Sequence, residues 1–519
     1  MFHESKLRPS VLIHLPATYT EVRHMRFPRS SGILLHPTSL PGPCGIGDLG
    51  ESARRFADFL AECGQTLWQV LPLGPTGYGD SPYQCFSALA GNPLLIALDP
   101  LDVPAPPPFP DNQVDFARVI PWKMGVLEGV ARRFLAGPGD AAFTAFCQAN
   151  ASWLDDFALF MALKQHHGEC IWSRWEPGAR SRSPQSLAAW RERLAPVIAA
   201  HRYFQFLFFR QWHDLREYCR ARQIRIMGDL PIYVAHDSAD VWARPEAFHL
   251  DAHGDPTVVA GVPPDYFSAT GKRWGNPIYR WETMAAEGYG WWLDRFRAVL
   301  AQFDLIRLDH FRGFEAYWEV PATEQTAEHG RWVKGPGAAL FEAVRQELGD
   351  LPFVAENLGV ITPEVEAIRA QFDLPGMSIL QFAFGDDPQG PSFRPHNYPR
   401  NLAAYTGTHD CDTTAGWWNS EGRGESTRTP EAILRERAFT RDYLNTDGRE
   451  IHWDFIRALE ASVADTVLIP LQDVLGLGSE GRMNQPATLG GNWRWRYRDG
   501  MLTPPIARRL RALTRMYDR

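Results

Sequence analysis

Eight short apolar runs with β-branched content recur along this chain, each followed by polar or glycine-rich residues and separated by helical patterns. They are GILLH (32–36), LWQVLPL (67–73), IRIMGDL (224–230), FDLIRLD (303–309), LPFVAE (351–356), MSILQFAF (377–384), AAYTGTHD (403–410) and TVLIPL (466–471). Such runs read as parallel strands. Between them lie helical segments such as ESARRFADFLAEC, HRYFQFLFFRQWHDLREYCRAR, WWLDRFRAVLAQF, GAALFEAVRQEL and TPEVEAIRAQF. In the second, Phe204, Phe208, Trp212, Leu215 and Cys219 recur at helical steps and mark one buried face. The last opens with Thr362 as N-cap, Pro363 at the first helical position and Glu364 in the first turn. Strand and helix alternate, so the expected fold is α/β, a (β/α)8 TIM barrel. An open doubly wound sheet would want a glycine fingerprint at its first helix; GPCGIGDLG has the wrong spacing and no acidic partner downstream.

Two gaps between runs are too long for one helix. Residues 74–200 hold a glycine-rich loop, the proline run VPAPPPFP and several amphipathic stretches, and are expected to form a mostly helical inserted subdomain after the second strand. Residues 231–285, rich in Gly, Pro, Asp, Trp and Tyr, read as long aromatic loops after the third strand, over the same barrel face. The catalytic barrel is assigned to 31–519. Residues 1–30 are set apart as a flexible N-terminal extension, of which 1–24 read as ragged or as a misplaced start before Met25.

The composition excludes several function classes. A chain of 519 residues, 45% apolar and 22% charged, has material for a large core. A formal charge of -8, from 53 basic and 61 acidic residues, supplies no basic stripe, so nucleic acid is not an expected partner. No apolar stretch is long enough to span a membrane, and VLIHLPA is too short and too interrupted for a signal peptide. Seven scattered cysteines without C-x-x-C suit neither a disulfide frame nor a zinc ribbon, so a cytoplasmic location is expected. The 19 Trp and 15 Tyr, many in Gly/Pro-rich stretches, either pack loops over the core or form stacking surfaces for flat ligands such as sugar rings.

Catalytic groups of a parallel barrel gather at the C-terminal strand ends. Asp229, Asp309, Glu356 and the pair His409-Asp410 all fall there. Arg307, two residues before Asp309, lies on the same side of the strand and can hold it ionised. Glu356 follows LPFVA, where partial burial would raise its pKa and keep a proton available. An ionised acid beside a protonated one suits glycoside chemistry, with carboxyl groups ~5 to 5.5 Å apart in a retaining enzyme. Singly, each acid could equally cap a helix or pair with a surface arginine. A metal cluster of His409, Asp410 and Asp412 is the rival, weakened because adjacent strand residues face opposite ways. HLDAHGDP (249–256) reads as a solvated loop. No G-x-S-x-G elbow occurs, and Cys411 beside acids reads as packing.

The motifs GYGDSPYQCFSALAGNPLL, GDLPIYVAHDSADVWA, PPDYFSATGKRWGNPIY, RLDHFRG, VAENLG and THDCDT occur in the order found in the amylomaltases, and nearly the whole chain resembles these 4-α-glucanotransferases of glycoside hydrolase family 77, in the α-amylase clan. The resemblance implies Asp309 as nucleophile, Glu356 as general acid/base and Asp410 as a third acid gripping sugar hydroxyls. It further implies Arg307 and His409 as supports, Asp229 and Asn484 as polar contacts, Tyr83 as a stacking platform, and Tyr266, Phe267 and Trp274 as a loop over the acceptor subsites. The implied partners are α-1,4-glucans (maltooligosaccharides, amylose, starch or glycogen), with no metal or organic cofactor, and a monomer or weak homo-oligomer is expected. Cys411 departs from the Asn common in the family, and the chain is similar to its short form, which lacks large N-terminal domains. His310 and Arg312 are expected to shape the loop and pair with neighbouring acids. An α-glucan hydrolase with the same carboxylates, or a non-catalytic glucan-binding barrel, remains the alternative.

Overall fold

In the computed structural model, which describes residues 27–264, 270–422, 429–486, 488 and 490–519, the apolar runs form the staves of a barrel. Twelve strands are described: β1 (Ser30–Leu34), β2 (Leu67–Gln69), β3 (Arg225–Leu230), β4 (Val258–Val262), β5 (Lys272–Pro277), β6 (Leu305–Leu308), β7 (Ala316–Pro321), β8 (Arg331–Lys334), β9 (Phe353–Ala355), β10 (Gly376–Ile379), β11 (Leu402–Tyr405) and β12 (Thr466–Pro470). Eight of them, one per apolar run, make a parallel sheet in the order β10-β11-β12-β1-β2-β3-β6-β9. The ends meet where the Ala355 N–H donates to the Pro375 carbonyl at 2.8 Å. Beyond that bond the Asn357 side chain takes over the pairing, accepting from the Met377 N–H at 2.8 Å. The result is a (β/α)8 barrel.

The strands read as continuous apolar runs because both faces are covered. Inward side chains Leu67, Met227, Leu305, Val354, Met377, Ile379, Ala403, Tyr405 and Leu468 form one buried cluster, which Phe27 joins. Outward side chains meet the helices, among them Glu51–Glu62, Ala195–Arg220, Gly290–Gln302, Ala338–Leu348 and Pro363–Gln371. On Ala195–Arg220, Phe204, Phe208, Trp212, Leu215 and Cys219 are all buried.

Three boundaries differ from expectation. The barrel begins before residue 31: Phe27 is buried, and the Arg29 guanidinium donates to the carbonyls of Tyr517 and Ser462, each at 2.9 Å. A lone Phe and Arg in a polar stretch give no periodic signal. The long helix starts at Ala195, inside the 74–200 span, because Pro196 occupies its first turn and extends it backward. The segment 231–285 is more than loops. Its strands β4 and β5 pair antiparallel and continue through β7 to β8, giving a second sheet, β5-β4-β7-β8, built from the segments that follow β3 and β6. Half of that sheet comes from the far side of β6, a pairing no local pattern announces.

Candidate active site

Strand register places the first ion pair. β3 and β6 align Asp229 directly opposite Arg307, and one guanidinium nitrogen, Nη1, donates to Asp229 Oδ1 at 3.0 Å and Oδ2 at 2.8 Å. The same nitrogen reaches Asp309 Oδ1 at 2.9 Å, two residues along the strand. Burial works against the Arg307 charge, yet Asp229 and Asp309 hold the guanidinium well above its usual range. The two acids are unequal. The Asp229 side chain is fully buried, and its Oδ2 also accepts from the Tyr83 hydroxyl at 2.8 Å. Burial pushes it up to about 7, against the pull of Arg307. The Asp309 side chain keeps 27% exposure, and among the described residues its Oδ2 accepts no hydrogen bond. Asp309 therefore offers an oxygen to the cleft, while Asp229 braces Tyr83 and Arg307.

Glu356, just past β9, is clamped by main chain. Its Oε2 accepts from the His310 N–H at 2.7 Å and its Oε1 from the Leu358 N–H at 3.0 Å. Its pKa is pushed up to about 8, mainly by burial; Arg307 pulls it down and the Asp309 charge adds to the rise. His310 can reach Glu356 because its backbone is left-handed, with φ 49°, and burial pulls its imidazole down to about 4. Trp274, on β5 and 37% exposed, packs edge-on against the His310 ring at 4.7 Å. Arg312, expected to pair with an acid, instead donates to the Val360 carbonyl and lies under the Trp332 ring; the nearby Glu315 is taken by Lys334.

The third acid stands across the barrel mouth. The seventh parallel run is strand only to Tyr405, so His409 and Asp410 sit in a turn and do face each other, with Nε2 3.4 Å from Oδ2. The strand-alternation argument against them sharing a ligand therefore fails. Asp412, weighed as their partner, is turned toward Ser479, whose hydroxyl it accepts at 2.7 Å. Desolvation raises the Asp410 pKa, but His409, the Asn484 amide (2.6 Å to Oδ1) and Arg307 outweigh it, so the net direction is down. Burial lowers His409, which favours a neutral ring, and Tyr83 stacks on that ring at 5.0 Å and 19°. Burial, more than the neighbouring acids, raises the Cys411 thiol, in keeping with a packing role. Tyr266 and Phe267 lie outside the described residues.

The structure thus joins Asn484, Asp410, His409, Tyr83, Asp229, Arg307 and Asp309 in one continuous network, with Glu356 beside Asp309. Sequence reasoning missed three supports. Trp493 packs against both Tyr83 and His409, at 5.8 and 5.9 Å. Arg482 donates to the Asp410 carbonyl at 3.0 Å. Buried Asp473 accepts from the Thr406 hydroxyl and from the Thr414 N–H and hydroxyl, pinning both ends of the turn that carries His409 and Asp410. None has a signal in periodicity, although Asp473 follows an apolar strand as the catalytic acids do. Asp473→Ala is expected to lower unfolding stability by about 3 kcal/mol, since it orphans three buried groups. An unchanged urea midpoint would contradict this.

Known proteins resemble this chain over most of its length. Residues 35–503 match the family model described as 4-alpha-glucanotransferase. The chain is 52% identical to a 4-alpha-glucanotransferase of Thermus thermophilus, over 95% of this chain and 100% of that protein. It is 49% identical to one of Synechocystis, over 95% and 98%. Among solved structures it is similar to the amylomaltase of Streptococcus agalactiae in complex with acarbose, with TM-score 0.89 and 39% identity over 95% of this chain and 99% of that one.

Proposed function

Because the chain belongs to the glycoside hydrolase 77 family of 4-alpha-glucanotransferases, we propose that it moves segments of α-1,4-glucans to the 4-hydroxyl of an acceptor glucan or glucose by a retaining double displacement. The observation that carries this reading is the pairing of Asp309, with one oxygen free toward the cleft, and Glu356, whose pKa of about 8 keeps a proton on it at neutral pH. In the first step Asp309 bonds to the anomeric carbon as the glycosidic C–O bond breaks. Glu356 gives its proton to the departing oxygen. The donor segment is then an ester on Asp309. In the second step the Glu356 carboxylate takes the proton of the acceptor 4-hydroxyl, whose oxygen displaces Asp309 and restores both carboxyl groups.

Asp410 and His409 grip hydroxyls of the reacting sugar, Asn484 orients Asp410, and Tyr83, with its hydroxyl tied to Asp229 and its ring on His409, gives that sugar a fixed wall. Arg307 braces the nucleophile, and Asp229 acts through Arg307 and Tyr83. Trp274 beside His310 stands over the acceptor side, where it helps keep water from the ester. All seven cysteines are free, and no helix among the described residues is long and apolar enough to cross a membrane; both fit a cytoplasmic enzyme.

Incubation with maltotriose tests the reaction. Glucose together with maltodextrins longer than the substrate is the expected product pattern. Shorter sugars alone would point to the hydrolase with the same carboxylates, and no turnover to a binding protein.

A further inference from the structure

We propose that the indole of Trp332 forms a distal glucan subsite on the leaving-group side of the cleft, stacking on a sugar ring several units from the cleaved bond. The proposal rests on the glucanotransferase reading above and deepens it. Since Glu356 protonates the departing oxygen, the departing and incoming glucans both lie on its side of Asp309. Two loops wall that side: the turn after β6, from His310 to Phe314, and the loop after β9 that follows Glu356. Arg312 ties them together by donating to the Val360 carbonyl, and its guanidinium carbon lies 3.7 Å from the Trp332 ring centroid. Trp332 therefore stands on the ridge built by the loops that carry both catalytic carboxyl groups.

The ring is fixed in advance. It sits on β8 directly opposite Trp318 of β7, which meets it edge-on at 5.3 Å and 68°. Trp318 is itself anchored by its indole N–H on the Ala327 carbonyl at 2.8 Å. With the buried Arg312 under one face and Trp318 at the edge, the 40% of Trp332 that stays exposed opens to solvent. An immobile aromatic face binds a ligand with little ordering cost. Its surroundings choose the ligand: Lys334, on the same face of β8 and paired with Glu315, rims the ring with charge. That rim suits a hydroxyl-rich pyranose, with an apolar face for the indole and polar edges for the ions, rather than an apolar protein surface. The other exposed indole of this sheet, Trp274, abuts His310, so the two rings flank one turn and continue the cleft outward.

The test compares wild type, Trp332→Ala and Trp332→Phe with two substrates, maltotriose and amylose. Trp332→Ala is expected to lower the ratio of kcat/KM for amylose to that for maltotriose about tenfold, equivalent to about 1.4 kcal/mol, mainly through KM for amylose, and Trp332→Phe to recover most of it. An unchanged ratio, whether both substrates suffer equally or neither suffers, would overturn the subsite, because a ring that merely braces Arg312 cannot discriminate by chain length. A wild-type enzyme that fails to lengthen maltotriose would overturn the underlying reading instead, whatever the variants do.

Discussion

Replacing Asp309 by Asn is expected to reduce kcat/KM for maltotriose disproportionation by on the order of 10⁴-fold while leaving the fold intact. The amide keeps the shape of the carboxylate but cannot form the ester, and no other acid can take its place. Asp229 is the nearest alternative, yet it is fully buried with both oxygens engaged by Arg307 and one also by Tyr83. Arg307 keeps its two bonds to Asp229 in the variant, so no buried charge is stranded and the urea midpoint should move little. Steady-state rates and urea denaturation on one preparation check both halves. A loss smaller than about tenfold would remove Asp309 as nucleophile.

The second large effect belongs to Glu356→Gln. With natural glucans the expected loss is about 10³-fold, within the usual reach of general acid–base catalysis. With a donor whose leaving group is fluoride, which departs without a proton, the first step should be largely spared. The variant will also lose some stability, since the Gln amide must turn its NH₂ toward one of the two N–H donors, His310 or Leu358, that the carboxyl accepts from. The ratio between the two donors is therefore the decisive readout: a folding defect lowers both rates and leaves the ratio alone. Wild type should show a matching pH profile. The Glu356 pKa is raised from 4.5 to about 8, mainly by burial, so the proton it must donate is present below that value and lost above it. Transfer should fall as pH rises through about 8, and a rate that stays level well beyond would argue against the acid role.

The barrel was legible because a strand covered on both faces must be apolar along its whole length, so each stave announced itself without knowledge of its neighbours. The cluster of acids at the barrel mouth was legible for a related reason: Asp309 and Glu356 are charges that abruptly follow such runs. What escaped depends on partners distant in sequence. The sheet β5-β4-β7-β8 is assembled from segments on either side of β6, and its strands carry little apolar alternation of their own. Asp229 was legible as a strand-end acid, but its pairing with Arg307 shows only in the register of β3 against β6. Arg312 looked like the partner of an acid, but it donates to a carbonyl and lies under an indole, while the nearby Glu315 is held by Lys334. Phe27, which completes the barrel interior, lies in a stretch too irregular to declare a strand or helix.

The His310 amide has a consequence for how this site can drift over time. The link from the turn after β6 to Glu356 is made by main chain, at φ 49°, and not by the imidazole. Asn, Asp or Gly at this position would tolerate the angle and preserve the tether, whereas Val or Ile would resist it. That tether is thus inherited as a backbone angle, so two proteins can differ in side chain at position 310 and still keep it.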